Sequence, residues 1–493
     1  DTDRSRGLGD VYKRQDIHGN YYPYDFIRRR EATGSLARVH ALVQKEREAY
    51  GKNLILLDNG DILQGQPTAY YYNYIDTVAP HLAAEMMNFM GYNAGNMGNH
   101  DVETGRTVFD RWAGDCRFPI LGANIVDTAT GETHFKPYEV LERDGVKIVV
   151  LGMITPAIPV WLSENLWKGL RFDDMEETAR KWMKIIREQE KPDLVIGMFH
   201  AGQDAQLMGG KYRENASVEV ACNVPGFDIV LMGHDHAREC KRVCNIAGDS
   251  VLVMGPASNG VVVSNVDITL KLRDGKVIDK KIDGILSDTQ DYGVSEEFMQ
   301  RFAPENEAVQ NFVSKKIGSF TETISTRPAY FGSSAFIDLI HELQLAISGA
   351  DISFAAPLSY DTEIRKGDIF VNDMFNLYKY ENMLYVMKLS GKEIKDFLEE
   401  SYYMWTNQMK SPEDHLLWFK KKPREGAEDR ASFQNFSFNF DSASGIIYTV
   451  DVTKPKGEKI TITSMADGSP FRMDKIYNCL LYTSDAADDL IGV

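Results

Sequence analysis

Two imidazoles stand two residues apart at His234 and His236, directly after the apolar run Ile229-Val230-Leu231-Met232 and one glycine, Gly233. A buried strand running into a tight turn would bring both rings toward one point, because glycine lets the backbone turn sharply. Taken alone, the pair reads as a surface accident, a core hydrogen-bonding pair or a metal-binding one. Other strand ends favour ligation. Asp16-Ile17-His18 comes first, Leu54 to Leu57 delivers Asp58-Asn59-Gly60-Asp61, Gly98-Asn99-His100-Asp101 follows, and the run from Leu194 to Phe199 hands over His200. Five of the ten histidines lie in these stretches.

Asp16, His18, Asp61, Asn99, His200, His234 and His236 offer hard oxygen and borderline nitrogen donors enough for two divalent ions, with no thiolate among them. Ions about 3.5–4 Å apart need a bridging ligand, for which a carboxylate such as Asp61 is suited, and a water between them ionises near neutral pH and attacks phosphorus in line. Hydrolysis of a phosphate ester is the reaction this inventory favours. Manganese, zinc, cobalt and iron all suit these donors. Turn hydrogen bonding explains Asp58 and Asp235 better than ligation does.

The elements that must position these groups alternate between apolar strands and amphipathic helices from residue 16 to about 285. Thr77 to Met90 carries Leu82, Met86 and Phe89 on one face and stops at Gly91, and Glu176 to Glu190 reads as a second helix ended by Pro192. Val251–Met254 and Val261–Ile268 read as late sheet strands. This alternation predicts an α/β sandwich with its reactive groups on loops at strand ends. Residues 286–331 are charged and helix-prone, Glu296 to Lys316 above all, and read as a connector. A second domain, 332–479, opens with a helix capped by Ser334 and closed by Gly349, followed by the strand Asp351–Phe354. On that helix Asp338 and His341 share a face, which points to a structural hydrogen bond or solvent exposure in preference to catalysis. The ends, 1–15 and 480–493, read as non-native: Asp1 to Gln15 is polar, and Asp16 lacks the apolar strand that precedes the other ligands.

With 55 Lys and Arg against 72 Asp and Glu, the formal charge is −17, which argues against a nucleic-acid polymer as partner. A small anion remains compatible, since bound divalent ions supply the local positive centre. Five cysteines without paired C-x-x-C spacing imply no disulfide framework, and Cys240 and Cys244 are spaced as helical neighbours. No apolar run reaches membrane-spanning length, no signal peptide opens the chain, and no protein partner is implied.

The series D-x-H, G-D-x-x-Q-G at Gly60–Gly65, G-N-H-D, a lone histidine after a strand and G-H-x-H resembles the calcineurin-like metallophosphoesterases. With the second domain, it resembles the bacterial nucleotidase family, which includes 5′-nucleotidases and 2′,3′-cyclic-nucleotide 2′-phosphodiesterase/3′-nucleotidases. The resemblance spans about Asp16 to Cys479. It implies a four-layer-type α/β sandwich followed by a smaller α+β nucleotidase C-terminal domain, and a periplasmic or secreted location. It further implies one ion on Asp16, His18 and His236, another on Asn99, His200 and His234, and Asp61 bridging them. His100 is similar to the family's catalytic histidine, oriented by a carboxylate three residues on, here the longer Glu103. Asp101 belongs to the signature as a loop support.

Substrate choice in the family lies in the second domain, where two aromatic rings sandwich the base. The stretch Leu377 to Asn382 is similar to the one supplying the first ring, which makes Tyr380 the stacking candidate, with Tyr378 and Asn382 beside it. Arg365 is a further candidate, with a solvated loop charge as its alternative. Ala356 to Asp361 lacks the glycines and arginine of the 5′-nucleotidase segment, and Phe438 to Thr453 resembles a strand pair of the cyclic phosphodiesterase branch. The expected function is therefore hydrolysis of nucleotides of the 2′,3′-cyclic and 3′ type, with a 5′-nucleotidase or UDP-sugar hydrolase as the alternative and a non-catalytic nucleotide- or metal-binding relative as a further one. The family's second stacking aromatic and G-G-x-G turn do not follow Cys479, which predicts weaker nucleoside affinity by about 1–3 kcal/mol.

Overall fold

The computed structural model describes residues 4–14, 16–204, 207–273, 276–358, 360, 362–378, 384–420, 433–435 and 437–482. The chain divides into two compact units, Asp1–Ser314 and Lys315–Val493.

The principal strands of the first unit are β1 (Arg4–Arg14), β2 (Ile55–Asp58), β3 (Tyr138–Arg143), β4 (Val146–Ile154), β5 (Leu194–His200), β6 (Ile229–Met232), β7 (Arg238–Cys244), β8 (Ser250–Pro256), β9 (Val262–Arg273) and β10 (Lys276–Asp288). They form a four-stranded sheet in the order β10-β9-β1-β2 and a six-stranded sheet in the order β7-β8-β6-β5-β4-β3. Within the larger sheet β4, β5, β6 and β8 run parallel, and β3 and β7 close its edges antiparallel.

Both faces of that parallel centre are covered, which explains its unbroken apolar runs. On β4, Ile148 and Val150 pack with Ile55, Leu57, Val266 and Ile268 of the other sheet. Val149, Leu151 and Met153 alternate to the opposite face, against Met175, Met183 and Ile186. Those last three lie on helix α4, introduced below, and the period of two along the strand puts one residue set in each layer.

The helices used here are α1 (Leu36–Tyr50), α2 (Leu82–Met90), α3 (Asn99–Glu103), α4 (Met175–Gln189), α5 (Ser217–Asn223), α6 (Glu296–Arg301) and α7 (Ala303–Val313). Helices α4 and α5 cover the outer face of the larger sheet, and α1 packs on β1, so the layers run helix, sheet, sheet, helix. Asp174 caps α4 by accepting from the nitrogens of Glu176 and Glu177. Helix α2 ends where expected, Gly91 taking the left-handed conformation at φ 71°, but it begins at Leu82, not Thr77, capped by the His81 ring.

Three expectations are corrected in this unit. The segment before Asp16 does form a strand: β1 lies inside the smaller sheet, parallel to β2 through Val11↔Ile55 to Arg14↔Asp58 and antiparallel to β9. Backbone pairing on both sides needs no apolar side-chain pattern. Cys240 and Cys244 lie on β7 and are no helical neighbours; all five cysteines are unbridged. The division between units falls at Ser314, inside the segment read as a connector. Phe298 and Phe302 are fully buried around Phe89, and Tyr22 donates to the Phe302 carbonyl at 2.9 Å, so α6 and α7 belong to the first unit.

The second unit holds α8 (Ala335–Ser348), β11 (Ile352–Ala355), β12 (Leu384–Ser390), α9 (Gly391–Trp405), β13 (Ser442–Ser444), β14 (Ile446–Val450), β15 (Ile460–Met465) and β16 (Ile476–Tyr482). Its sheet has the order β12-β16-β11-β13, and β14 and β15 make a separate hairpin. Ser334 Oγ accepts from the Ile337 nitrogen and Gly349 closes α8 at φ 63°, as the sequence predicts. His341 is structural: its Nδ1 meets Ser353 Oγ at 2.9 Å and its Nε2 meets Ser442 Oγ at 3.1 Å. Strand β16 runs through Cys479 to Tyr482, with Leu480 fully buried, so the folded unit continues past the expected limit at 479. Among the described residues no helix is long and apolar enough to cross a membrane.

Candidate metal centre

The turn after β2 brings Asp61 beside α3, and two glycines make the approach possible. A Cβ on Gly98 would stand 2.0 Å from Asp61 Oδ1, and one on Gly60 would stand 2.4 Å from the Gly98 nitrogen. Asp101 ties the two segments together. Its Oδ2 accepts from the nitrogens of Asp61 and Gly98 at 2.8 Å, and its Oδ1 accepts from Ile62 and Leu63 at 2.9 and 3.0 Å. Asp101 thus acts on the loop, as expected, and Asp235 likewise serves its turn by accepting from the nitrogens of Gln203 and Ala237.

Of the seven expected ligands, Asp16, His18 and His236 gather with one donor atom each within 4.8 Å of one another, and so do Asp16, Asp61 and His200. His18 Nε2 and His236 Nε2 stand 3.0 Å apart. Asn99 Oδ1 lies 3.0 Å from His200 Nε2 and 2.8 Å from His234 Nδ1, and His200 Nε2 lies 3.0 Å from Asp61 Oδ2. Asp61 is therefore shared between the two groups of donors. All seven residues come together, although they arise from segments spread over more than two hundred positions.

The rings are oriented from behind. His200 Nδ1 meets the Asn59 carbonyl at 2.7 Å, and a carbonyl only accepts, so His200 Nε2 turns a lone pair inward. His234 Nε2 meets Glu214 Oε1 at 2.9 Å, which leaves Nδ1 as the inward lone pair. Asn59 is held by Asn96, whose Nδ2 donates to Asn59 Oδ1 at 2.9 Å and to the carbonyls of Met153 and Met198. Amide, imidazole and carboxylate acceptors packed this closely repel one another unless cations lie among them, so the donor set fits divalent ions. Burial alone would push the Asp61 carboxyl up, but His200, His100 and His18 around it, when protonated, hold it well below the usual carboxylate range.

His100 shares this pocket, with a ring nitrogen within 4.8 Å of His18 and Asp61 donor atoms. Its Nδ1 lies 2.7 Å from Glu103 Oε2, both side chains buried, so the longer carboxylate reaches the ring. The substrate candidates fare differently. Tyr380 and Asn382 lie outside the described residues. Tyr378 packs against Ala356 and Leu358, and Arg365 is exposed, its Nε 3.3 Å from Glu363. Glu214, Asn96 and Trp161, whose ring lies 5.5 Å from that of His234, were missed by the reading of the sequence. Nothing in the local spelling distinguishes them from other polar or aromatic residues.

Residues 16–238 match the family model of the calcineurin-like phosphoesterases, and residues 316–484 match that of the 5′-nucleotidase C-terminal domain. The chain is 29% identical to the trifunctional nucleotide phosphoesterase protein YfkN of Bacillus subtilis, over 89% of this chain and 32% of YfkN. It is 27% identical to the 2′,3′-cyclic-nucleotide 2′-phosphodiesterase/3′-nucleotidase of Yersinia enterocolitica, over 90% of this chain and 74% of that protein. The crystal structure of a candidate 5′-nucleotidase from Staphylococcus aureus has the same fold, with a TM-score of 0.74 at 20% identity over 97% of this chain and 90% of that one. The chain spans about a third of the length of YfkN and about three quarters of the Yersinia enzyme. It belongs to the calcineurin-like metallophosphoesterases that carry a 5′-nucleotidase C-terminal domain, a family of divalent-metal-dependent nucleotide phosphoesterases.

Proposed function

We propose that this chain hydrolyses nucleotides of the 2′,3′-cyclic and 3′ type on a two-ion centre. The observation that carries the reading is the gathering of seven donor residues into two groups that meet at the Asp61 carboxylate. Asp16, His18 and His236 would hold one ion, Asn99, His200 and His234 the other, with Asp61 between. Divalent ions there supply Lewis acidity toward phosphoryl oxygens and lower the pKa of water. His100 holds a proton at Nε2 for the leaving oxygen, and Glu103 keeps that ring in place through Nδ1. In the second unit, Tyr380 stacks on the base, with Tyr378, Asn382 and Arg365 as further contacts. The reading extends to a periplasmic or secreted location. Relatives named as cyclic-nucleotide phosphodiesterases support the substrate choice, as does the absence of the 5′-nucleotidase glycines between Ala356 and Asp361.

The test is phosphate release from 2′,3′-cyclic AMP (with an added phosphomonoesterase), 3′-AMP and 5′-AMP, with manganese supplied and EDTA as control. Metal-dependent turnover of the first two is expected. Preference for 5′-AMP would overturn the substrate choice in favour of a 5′-nucleotidase, and silence on all three with metal bound would leave a non-catalytic relative.

A further inference from the structure

The two groups of donors are not equally charged. Asp16 contributes a full carboxylate to the group containing His18 and His236. The other group has only neutral ligands of its own, the Asn99 amide and two imidazoles, beside its share of Asp61. The structure also supports the two imidazoles unequally. His200 is backed by a neutral carbonyl, that of Asn59. His234 is backed by a carboxylate, Glu214, whose side chain is 3% exposed and whose Oε1 lies 2.9 Å from Nε2. The Trp161 ring lies beside the same imidazole, its plane tilted 32° from it.

Glu214 sits on the loop that enters α5, and the next residue pins that loop: Asn215 Oδ1 accepts from the Gly202 nitrogen at 2.8 Å, two residues after His200. The carboxylate is thus carried by the segment that leaves β5 and reaches across to the imidazole that follows β6. A carboxylate accepting a hydrogen bond from the far nitrogen of a ligating imidazole fixes the ring and raises its donor strength. We propose that Glu214 is a positioning residue that sets the affinity of the Asn99–His200–His234 group for its ion, supplying from behind the negative charge this group lacks among its own ligands. The proposal rests on the two-ion reading.

The test uses the full chain, stripped by chelation and titrated with manganese, with binding followed by calorimetry and by the spin-coupled electron paramagnetic resonance signal of an ion pair. Glu214→Gln keeps the shape and an acceptor oxygen but removes the charge. Its expected result is one ion bound as in the unsubstituted chain and the second weakened roughly 10- to 100-fold, with the coupled signal lost at low manganese. Glu214→Asp, which restores the charge, is expected to recover part of that affinity. His234→Ala serves as the reference for a chain with one site disabled. If His234→Ala loses an ion while Glu214→Gln binds both unchanged, the role of Glu214 is overturned and the two-ion reading stands. If Glu214→Gln weakens both ions alike, with its circular dichroism intact, the selectivity is overturned. If His234→Ala itself retains two ions at full affinity, the two-ion reading falls and this inference with it.

Discussion

Five of the seven candidate ligand residues, Asp16, His18, Asp61, His234 and His236, hold positive φ between 48° and 73°. Left-handed backbone costs a non-glycine residue roughly 1–2 kcal/mol, though aspartate and histidine visit it more readily than most. Such strain clusters where surrounding structure imposes a geometry that local preference does not, and here it aims side chains that an extended strand would carry past the site. The His100–Glu103 pair makes a sharper demand at this scale. Replacing Glu103 with Gln leaves the shape but loosens the charged partner of Nδ1, so kcat is expected to fall about 10²-fold while manganese content stays the same. Loss of metal in place of loss of turnover, read by elemental analysis, would reassign Glu103 to the support of the ligands.

At the scale of elements, strand ends and short turns carry the site, and their mutual fastening matters more than any helix. Asp101 gathers four backbone N–H groups from the turn after β2 and the turn before α3. Removing that carboxylate leaves several buried donors unpaired at about 1–3 kcal/mol each, with only partial relief from relaxation. Asp101→Ala is therefore expected to lower stability by on the order of 3 kcal/mol and to weaken ion binding together with it, since Asp61 and Asn99 flank the lost anchor. Thermal melts run with and without manganese check both effects, and an unchanged shift on adding metal would show that the turns hold their places without Asp101.

At the scale of the whole molecule, each unit carries a buried histidine away from the candidate metal centre, His40 in the first and His341 in the second, and these tie stability to pH. Burial pushes His341 down to about 4 against the opposing pull of Asp338, and burial likewise pushes His40 down to about 4. A histidine kept neutral by folding is protonated first in the unfolded chain, so its contribution is complete above about pH 6.5 and is lost as pH falls from there toward 4. For His341 that window amounts to about 3 kcal/mol. His341→Gln, which also gives up hydrogen bonds to Ser353 and Ser442, is expected to be less stable at pH 7.5 and to lose less on going to pH 4.5. Denaturant midpoints of both chains at the two pH values measure this, and parallel losses would assign the acid sensitivity to other groups.

The donor residues that the structure brings together and the fold class were legible in the sequence because their signals are local. Buried parallel strands spell unbroken apolar runs, the residues that follow them are at the sheet edge, and caps such as Ser334 and Gly349 act within one helical turn. What supports the ligands was not legible. Asn96 bonds to the carbonyls of Met153 and Met198, and Glu214 meets His234 twenty residues on, contacts that exist only once the sheets have packed. The strand before Asp16 was invisible for a related reason: its place between β2 and β9 is held by backbone pairing, which leaves no pattern of side chains to read. The docking of α6 and α7 on the first unit, too, was settled by the burial of Phe298 and Phe302 against distant helices and not by the charged spelling of the segment. Sequence determined which atoms could bind metal, through residue type and strand ends; tertiary structure decided which of their nitrogens face inward, because only packing brings each ring the partner behind it.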